Sequence, residues 1–423
     1  MGDKPFLEHC LSEGMDEVLK KLIPLFEERA ARYDRSGKIS LDTLQDLQDA
    51  GLLSLALPRS AGGQDISLSA IVRIVGRIAQ GDPSTALILA MQYLQTAAFA
   101  HSSEWSEEVK QELFESVLQE GALINALRVE PELGTPARGG LPATTVSQRG
   151  QTWRISGRKI FSTGSTALQW GIVWAKTDET DPKVGPVLVP LDLRGVRIEK
   201  SWHQMGMRAT GSHTIIFDNV EIPERYLGLL SASASNEGRP TVAIASWHAI
   251  VIASLYNGIA VAARNWLINF LHQRVPSNLG ASLATLPRFE VLLGEIDALL
   301  LSNAGLIDQA LQLQGQGREI TILAGRTKHT VKANTIPAGA KGGAANREGA
   351  RARIPREKAP PAITEGGEVG VVIRDGDGRV LRCRRPAGAR WADMWEVPHD
   401  VRRPDEEPPA AAERVARELT GLD

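Results

Sequence analysis

Gly157-Arg158-Lys159-Ile160-Phe161-Ser162-Thr163-Gly164 and Met205-Gly206-Met207-Arg208-Ala209-Thr210-Gly211-Ser212 mark a part of the chain where short extended runs replace helical periodicity. Around them, Trp153-Arg154-Ile155-Ser156 alternates, and Gly171-Ile172-Val173-Trp174 and Pro186-Val187-Leu188-Val189-Pro190 are short apolar runs. His213-Thr214-Ile215-Ile216-Phe217 closes the series, and Gly150, Gly157, Gly164 and Gly195 punctuate it. Short runs separated by glycines predict an antiparallel barrel or sandwich over residues 123–228.

Outward from that core, both flanks read as helix. On the N-terminal side, residues 1–122, Leu19, Leu22, Leu25 and Phe26, then Leu41, Leu44, Leu47 and Leu52, recur at helical spacing. Leu57-Pro58-Arg59-Ser60-Ala61-Gly62-Gly63 breaks the pattern as a loop, Ser67 to Gln80 resumes it, and the helix signals stop near Gly121. On the other side, residues 229–336, the apolar set Val291, Leu292, Ile296, Leu299, Leu300 and Leu306 marks a long helix face. The uncharged run from Thr241 to Ala263 is long enough to cross a bilayer. It contains Ser246, His248, Ser254, Asn257 and Gly258, which suits a helix buried in a soluble bundle better than a membrane span.

Beyond Ile336 the composition breaks. Residues 337–367 are dominated by Ala, Gly and Pro with scattered basic residues and no amphipathic period, which predicts a flexible linker. In residues 368–423, Val369 to Ile373 and Val380-Leu381 flank Arg374-Asp375-Gly376-Asp377-Gly378, a β-hairpin signal, and Ala410 to Leu419 reads as a short helix. The fold class expected is therefore multidomain α+β, helical–β–helical, with a small appended α/β piece.

The whole-chain numbers exclude several classes. Lys and Arg total 48 against 50 Asp and Glu, a net charge of −2, so no global field draws the chain to nucleic acid or an anionic membrane. A 43% hydrophobic content over 423 residues is enough to bury more than one core. The two cysteines, Cys10 and Cys383, exclude a disulfide framework, a Cys-based zinc site and a four-cysteine iron–sulfur cluster, and fit a reducing compartment, most simply the cytoplasm. The N-terminus has no hydrophobic segment of the secretory kind, and Phe6 stands where a myristoylation signal needs Ser or Thr.

Four stretches, in order, resemble the acyl-CoA dehydrogenase family of flavoproteins across the first 336 residues. They are Leu57-Pro58 with Gly62-Gly63, Glu130-Pro131 with Gly134-Thr135, Gly157 to Gly164, and Met205 to Ser212 followed by Phe217-Asp218-Asn219-Val220 and Ile222-Pro223. The resemblance implies an N-terminal helical domain, a middle β-barrel, a C-terminal helical bundle and FAD. An isoalloxazine ring takes a hydride at one nitrogen when its face is dry and its edge meets donors.

Carried over by position, Thr163 falls where the family hydroxyl bonds the ring near that nitrogen, with Ser162 beside it. Phe161 stands for the usual stacking tryptophan, Val129 for a threonine at the pyrimidine edge, and Thr135 for a hydroxyl near the phosphates. Arg274, before Asn278-Leu279-Gly280, resembles the family arginine that pairs with the FAD diphosphate of a neighbouring subunit, which implies a dimer or tetramer. Dehydrogenation needs a base for the α proton of the thioester. The family glutamate is not found; His248 stands near its second position, where a lone histidine also serves as an ordinary core residue, and Glu237 lies too far upstream. The loop for the usual glutamate would follow Lys328 to Ile336, where the resemblance stops and leaves the bundle incomplete.

The tail, Val371 to Leu422, resembles the Nudix-type C-terminal domain of A/G-specific adenine glycosylases through Arg384-Arg385-Pro386, Trp391 to Pro398 and Glu413 to Leu422. Val415 and Leu419 occupy positions where hydrolytic members carry glutamates on magnesium, so hydrolysis is not implied. Three functions stay open on the sequence. One is an acyl-CoA dehydrogenase passing electrons to an electron-transfer flavoprotein. Another is a flavin monooxygenase of the same fold, similar to dibenzothiophene monooxygenases and using reduced flavin and oxygen. The third is an inactive fusion with a nucleotide-recognition fragment.

Overall fold

The computed structural model describes residues 13–132, 140–230, 242–350, 372–374 and 380–382. The first helices are α1 (Glu13–Ser36), α2 (Leu41–Asp49), α3 (Leu68–Gly81), α4 (Pro83–His101) and α5 (Glu107–Glu120). Ser40, Ser67, Asp82 and Ser106 each accept a backbone N–H at the start of the following helix, which satisfies donors that the helix cannot. Gly121 ends α5 in the left-handed region at φ 67°, as the sequence suggested. The expected periodicity buries Leu19, Phe26, Leu44 and Leu47, while Leu25 and Leu41 stay exposed.

Seven strands form the middle sheet: β1 (Leu123–Leu127), β2 (Thr145–Arg149), β3 (Thr152–Lys159), β4 (Leu168–Thr177), β5 (Val184–Pro190), β6 (Val196–Glu199) and β7 (Thr214–Ile222). Their order is β1-β4-β2-β3-β7-β6, with β5 on the other edge of β4. The sheet is mixed, which corrects the expected antiparallel barrel: β4 pairs in parallel with β1 (Ala126↔Ile172) and with β2 (Thr145↔Lys176). The cause lies in the chain path. The β2–β3 hairpin is inserted between β1 and β4, and this long connection lets β4 return alongside β1 in the same direction. Even-numbered β4 residues Trp170 and Ile172 join the α4–α5 core with Phe99, Trp105 and Phe114, whereas Val173 and Ala175 face the main core.

Three long helices follow: α6 (Val242–Gln273), α7 (Pro287–Gly315) and α8 (Thr321–Ala350). Over Ile244–Gln273, α6 is long and apolar enough to cross a membrane, but most of that stretch is buried inside the molecule, as expected of a bundle core. It crosses α3 at glycines: a Cβ on Gly258 would lie 2.3 Å from the Gly76 carbonyl oxygen. The α8 helix continues through Pro337 to Ala350, so the first part of the expected linker is helical. An amphipathic period reports a buried face, not helical backbone, and the alanines of this stretch favour helix where glycine and proline do not. The chain divides into two compact units, Met1–Ile354 and Pro355–Asp423. In the second, β8 (Val372–Arg374) and β9 (Val380–Arg382) pair antiparallel, Ile373↔Leu381, as the Asp-Gly signal foretold. The rest of the Nudix-like stretch lies outside the described residues.

Candidate active site

The backbone leaves β3 at Lys159 and turns sharply. Ile160 N–H donates to the Val129 carbonyl (2.9 Å), which ties β3 to the end of β1. Phe161 then takes φ +56°, a left-handed conformation that costs a non-glycine residue of order 1–3 kcal/mol. The strain is held by a clamp to the segment before β7: Ser162 N–H donates to the His213 carbonyl (3.2 Å) and Gly164 N–H to the Thr210 carbonyl (2.8 Å). Ser165 Oγ donates to the Gly211 carbonyl (2.6 Å), and Asn125 Nδ2 on β1 donates to the Thr163 carbonyl (3.0 Å). The turn therefore projects Phe161, half-buried and edge-on to Trp202 at 6.0 Å.

Trp202 is itself placed by His213. Burial, then the charges of His203 and Lys200, push the His213 imidazole pKa down, so it stays neutral. Its Nδ1 accepts from the Ser201 and Trp202 amides at 3.2 and 3.1 Å.

A run of buried hydroxyls lies behind the turn. Thr163 Oγ1 meets Ser212 Oγ at 3.0 Å, Ser212 Oγ meets Thr210 Oγ1 at 2.8 Å, and Thr210 Oγ1 donates to the Met207 carbonyl at 2.8 Å. Ser162 differs: its hydroxyl turns back to the Lys159 carbonyl (3.4 Å) and its role here is backbone support.

Below the turn sits a buried ion pair. Lys159 Nζ donates to Glu130 Oε1 (2.6 Å) and to the Trp174 carbonyl (2.5 Å), and both side chains are almost fully buried. Glu130 also accepts from Thr144 Oγ1 (2.6 Å) and from the amides of Ala143 and Thr144 (2.7 and 3.0 Å). Thr144 fits because position 157 is glycine; a Cβ there would lie 2.4 Å from the Thr144 hydroxyl. Burial opposes the Glu130 charge, but the Lys159 and Thr144 hydrogen bonds outweigh it and hold the carboxyl below its ordinary range. Burial pushes Lys159 down to about 8, against the pull of Glu130.

A mainly basic group of residues surrounds His248. His248, half-buried near the start of α6, has its imidazole pKa pushed down to about 4 by burial, then by the positive charges of Lys328 on α8 and Arg128. The Arg128 guanidinium packs over the Trp174 ring, 5.4 Å from its centroid, and its pKa is lowered by burial while Glu104 opposes the shift. The His248 imidazole is therefore neutral at pH 7.

Of the residues singled out from sequence, Val129, Phe161, Ser162 and Thr163 meet at one turn, and His248 shares the Arg128 neighbourhood at the end of β1. Thr135 lies outside the described residues. Arg274 follows the last turn of α6, 26 residues from His248 or about 39 Å along the helix axis. One chain thus holds Arg274 and His248 at opposite ends of one helix. Ser212, Thr210, Lys159 and Glu130 stood inside quoted motifs without an assigned role. Arg128 had no sequence signal and Lys328 stood in a quoted stretch without a role, because only folding brings them to His248. A groove of about 1120 Å³ along α5 reaches Ser165 and Thr166, but Phe161, Thr163 and His248 do not line it.

The donor set fits a flavin ring: an apolar aromatic wall, and a hydroxyl with capacity beyond its one protein contact. Comparison with known proteins agrees. The profile of the acyl-CoA dehydrogenase N-terminal domain matches residues 14–120, and that of the middle domain matches 128–220. The putative acyl-CoA dehydrogenase YdbM of Bacillus subtilis (strain 168) is 31% identical over 331 residues, 77% of this chain and 84% of that protein. Among solved structures, butyryl-CoA dehydrogenase from Megasphaera elsdenii superposes with a TM-score of 0.70 at 19% identity, covering 82% of this chain and 91% of that one. TdsC from Paenibacillus sp. A11-2, solved with FMN and indole, gives 0.65 at 20% identity over 78% and 84%. Neither profile reaches the Nudix-like stretch.

Proposed function

The chain belongs to the acyl-CoA dehydrogenase family of flavin-dependent oxidoreductases, and we propose that it binds FAD and removes hydrogen from the α and β carbons of an acyl-CoA thioester, passing electrons to an electron-transfer flavoprotein. The turn Phe161–Ser165 carries this reading, because its backbone is clamped on both sides to project a wall and a hydroxyl at one place. When bound, the isoalloxazine supplies a two-electron acceptor at one ring nitrogen. Phe161 and Trp202 keep water from that face, and Thr163 holds the ring edge.

His248 takes the α proton onto its unprotonated imidazole as the Cα–Cβ double bond forms and the β hydrogen leaves with its electron pair. Burial makes His248 a weak base, and the charges of Lys328 and Arg128 add to it. Those same charges favour negative charge developing on the thioester oxygen, which offsets their share of the cost at the imidazole. Thr135 serves the FAD phosphates, and Arg274 serves the diphosphate of a neighbouring copy in a homo-oligomer. Reaction in a reducing, cytoplasmic compartment fits the cysteine content.

Purified protein should be yellow, and an acyl-CoA should bleach it under anaerobic conditions. A yellow protein that no acyl-CoA bleaches, but that oxygenates a substrate with reduced flavin, overturns the dehydrogenase reading in favour of the monooxygenase. A colourless protein that refuses FAD overturns both.

A further inference from the structure

We propose that Thr163, Ser212 and Thr210 form a hydroxyl wire whose hydrogen bonds all reverse when the bound flavin changes redox state, making Ser212 and Thr210 positioning residues for the ring nitrogen. The inference rests on the reading above, in which Thr163 faces that nitrogen.

The argument is a count of protons. Three hydroxyls supply three protons, and the two contacts between them, 3.0 and 2.8 Å, use two. All three side chains are buried, so the third proton needs an acceptor at one end of the wire. At the inner end that acceptor is the Met207 carbonyl, 2.8 Å from Thr210 Oγ1. In this arrangement Ser212 donates to Thr210, Thr163 donates to Ser212, and the outer face of Thr163 offers lone pairs. Reversed, Thr210 donates to Ser212, Ser212 to Thr163, and Thr163 donates outward. Met207 O is not stranded by the reversal, because the Thr210 amide also donates to it at 3.1 Å. A mixed arrangement, with both neighbours donating to Ser212, would leave the Ser212 proton without an acceptor.

The ring nitrogen needs both states. Oxidised, it carries a lone pair and takes a hydrogen bond; reduced, it carries a proton and gives one. The outward wire serves the first and the inward wire the second, with no buried group unsatisfied in either. A single isolated hydroxyl could not do this. Accepting from the reduced ring, it would hold its own proton against an apolar wall.

Truncating the wire behind Thr163 therefore penalises the reduced flavin alone. The test is the two-electron reduction potential of the bound flavin in the full-length flavoprotein, measured by dye equilibration at equal flavin occupancy. Ser212→Ala and Thr210→Val should each shift the oxidised-to-reduced equilibrium about tenfold toward oxidised, about 30 mV more negative for a two-electron couple. Thr210→Ser, which keeps the hydroxyl, should retain the parent potential and serves as the control for packing. In the Thr163→Val background, Ser212→Ala should add nothing. If Thr163→Val alters the flavin spectrum and potential while Ser212→Ala and Thr210→Val match the parent, the wire is overturned and the flavin reading stands. If Thr163→Val leaves both unchanged, the placement of Thr163 fails, and the wire with it. Should Ser212→Ala lose flavin, the Thr210→Val and Thr210→Ser pair decides the question alone.

Discussion

Two charged clusters flank the end of β1, and they are built in opposite ways. Glu130 and Lys159 are buried with both signs present and are further bonded by Thr144, the Ala143 amide and the Trp174 carbonyl. Around His248, burial and then the positive charges of Lys328 and Arg128 keep the imidazole neutral, while Glu104 balances part of the Arg128 charge. An ion pair of this kind fastens backbone: it joins the end of β3, just before the Thr163 turn, to the loop entered at Glu130. A mainly basic cluster is a poorer fastener, since like charges raise the cost of charging a neighbour. On the proposed function, the first is scaffold and the second chemistry.

Breaking the scaffold should have the largest effect. Lys159→Met leaves Glu130 buried without its counter-charge and should cost about 3–5 kcal/mol in urea denaturation. Replacing both partners, Glu130→Leu with Lys159→Met, should recover much of that loss, because no lone charge remains. Equal destabilisation in the single and double variants would show that the pair's charges do not matter to folding.

The basic cluster should instead be sensitive in rate and pH. His248→Gln should slow anaerobic bleaching by an acyl-CoA at least about 100-fold with flavin still bound. The parent rate should hold across neutral pH and fall as pH approaches about 4, where the imidazole protonates. Stability follows the same group. Its folded pKa lies below the ordinary histidine value, so between pH 6.5 and 4 the unfolded chain binds the extra proton. Parent stability should therefore drop on acidification through that window by up to about 3 kcal/mol, and His248→Gln should flatten the drop. An unchanged profile in the variant would remove His248 from the account.

Much of this was legible in the sequence, and the gaps have physical causes. Alternation located β3, and apolar runs located β4 and β5, because a buried face imprints itself on residues two apart. The same period says nothing about which strand lies alongside, so the parallel β1–β4 pairing was invisible, and the short β1, β2 and β6 were not marked at all. Thr163 was singled out by its motif. Ser212 lay in a quoted motif but carried no role, because its meaning depends on a contact across 49 positions. Arg128 and Lys328 needed the fold itself. Pro337 was read as the end of order, whereas alanine-rich backbone carries α8 past it.

The smallest effects concern how firmly His248 is held, and two glycines separate the tight side of its helix from the loose side of the bundle. Gly258 of α6 touches α3 so closely that a methyl would meet the Gly76 carbonyl at 2.3 Å and the Ala79 methyl at 3.0 Å. Backbone cannot yield as a side-chain tip can, so Gly258→Ala should push α6 away, cost about 1–3 kcal/mol and slow bleaching with it. Gly305 of α7 is exposed, with nothing within 4 Å of an added methyl. There the methyl only restricts the unfolded chain and favours helix, so Gly305→Ala should stabilise the protein by about 0.5–1 kcal/mol and leave bleaching unchanged. The opposite signs, read side by side in thermal melts, would place the constraint on His248 at the α3–α6 crossing; like signs would remove it from there.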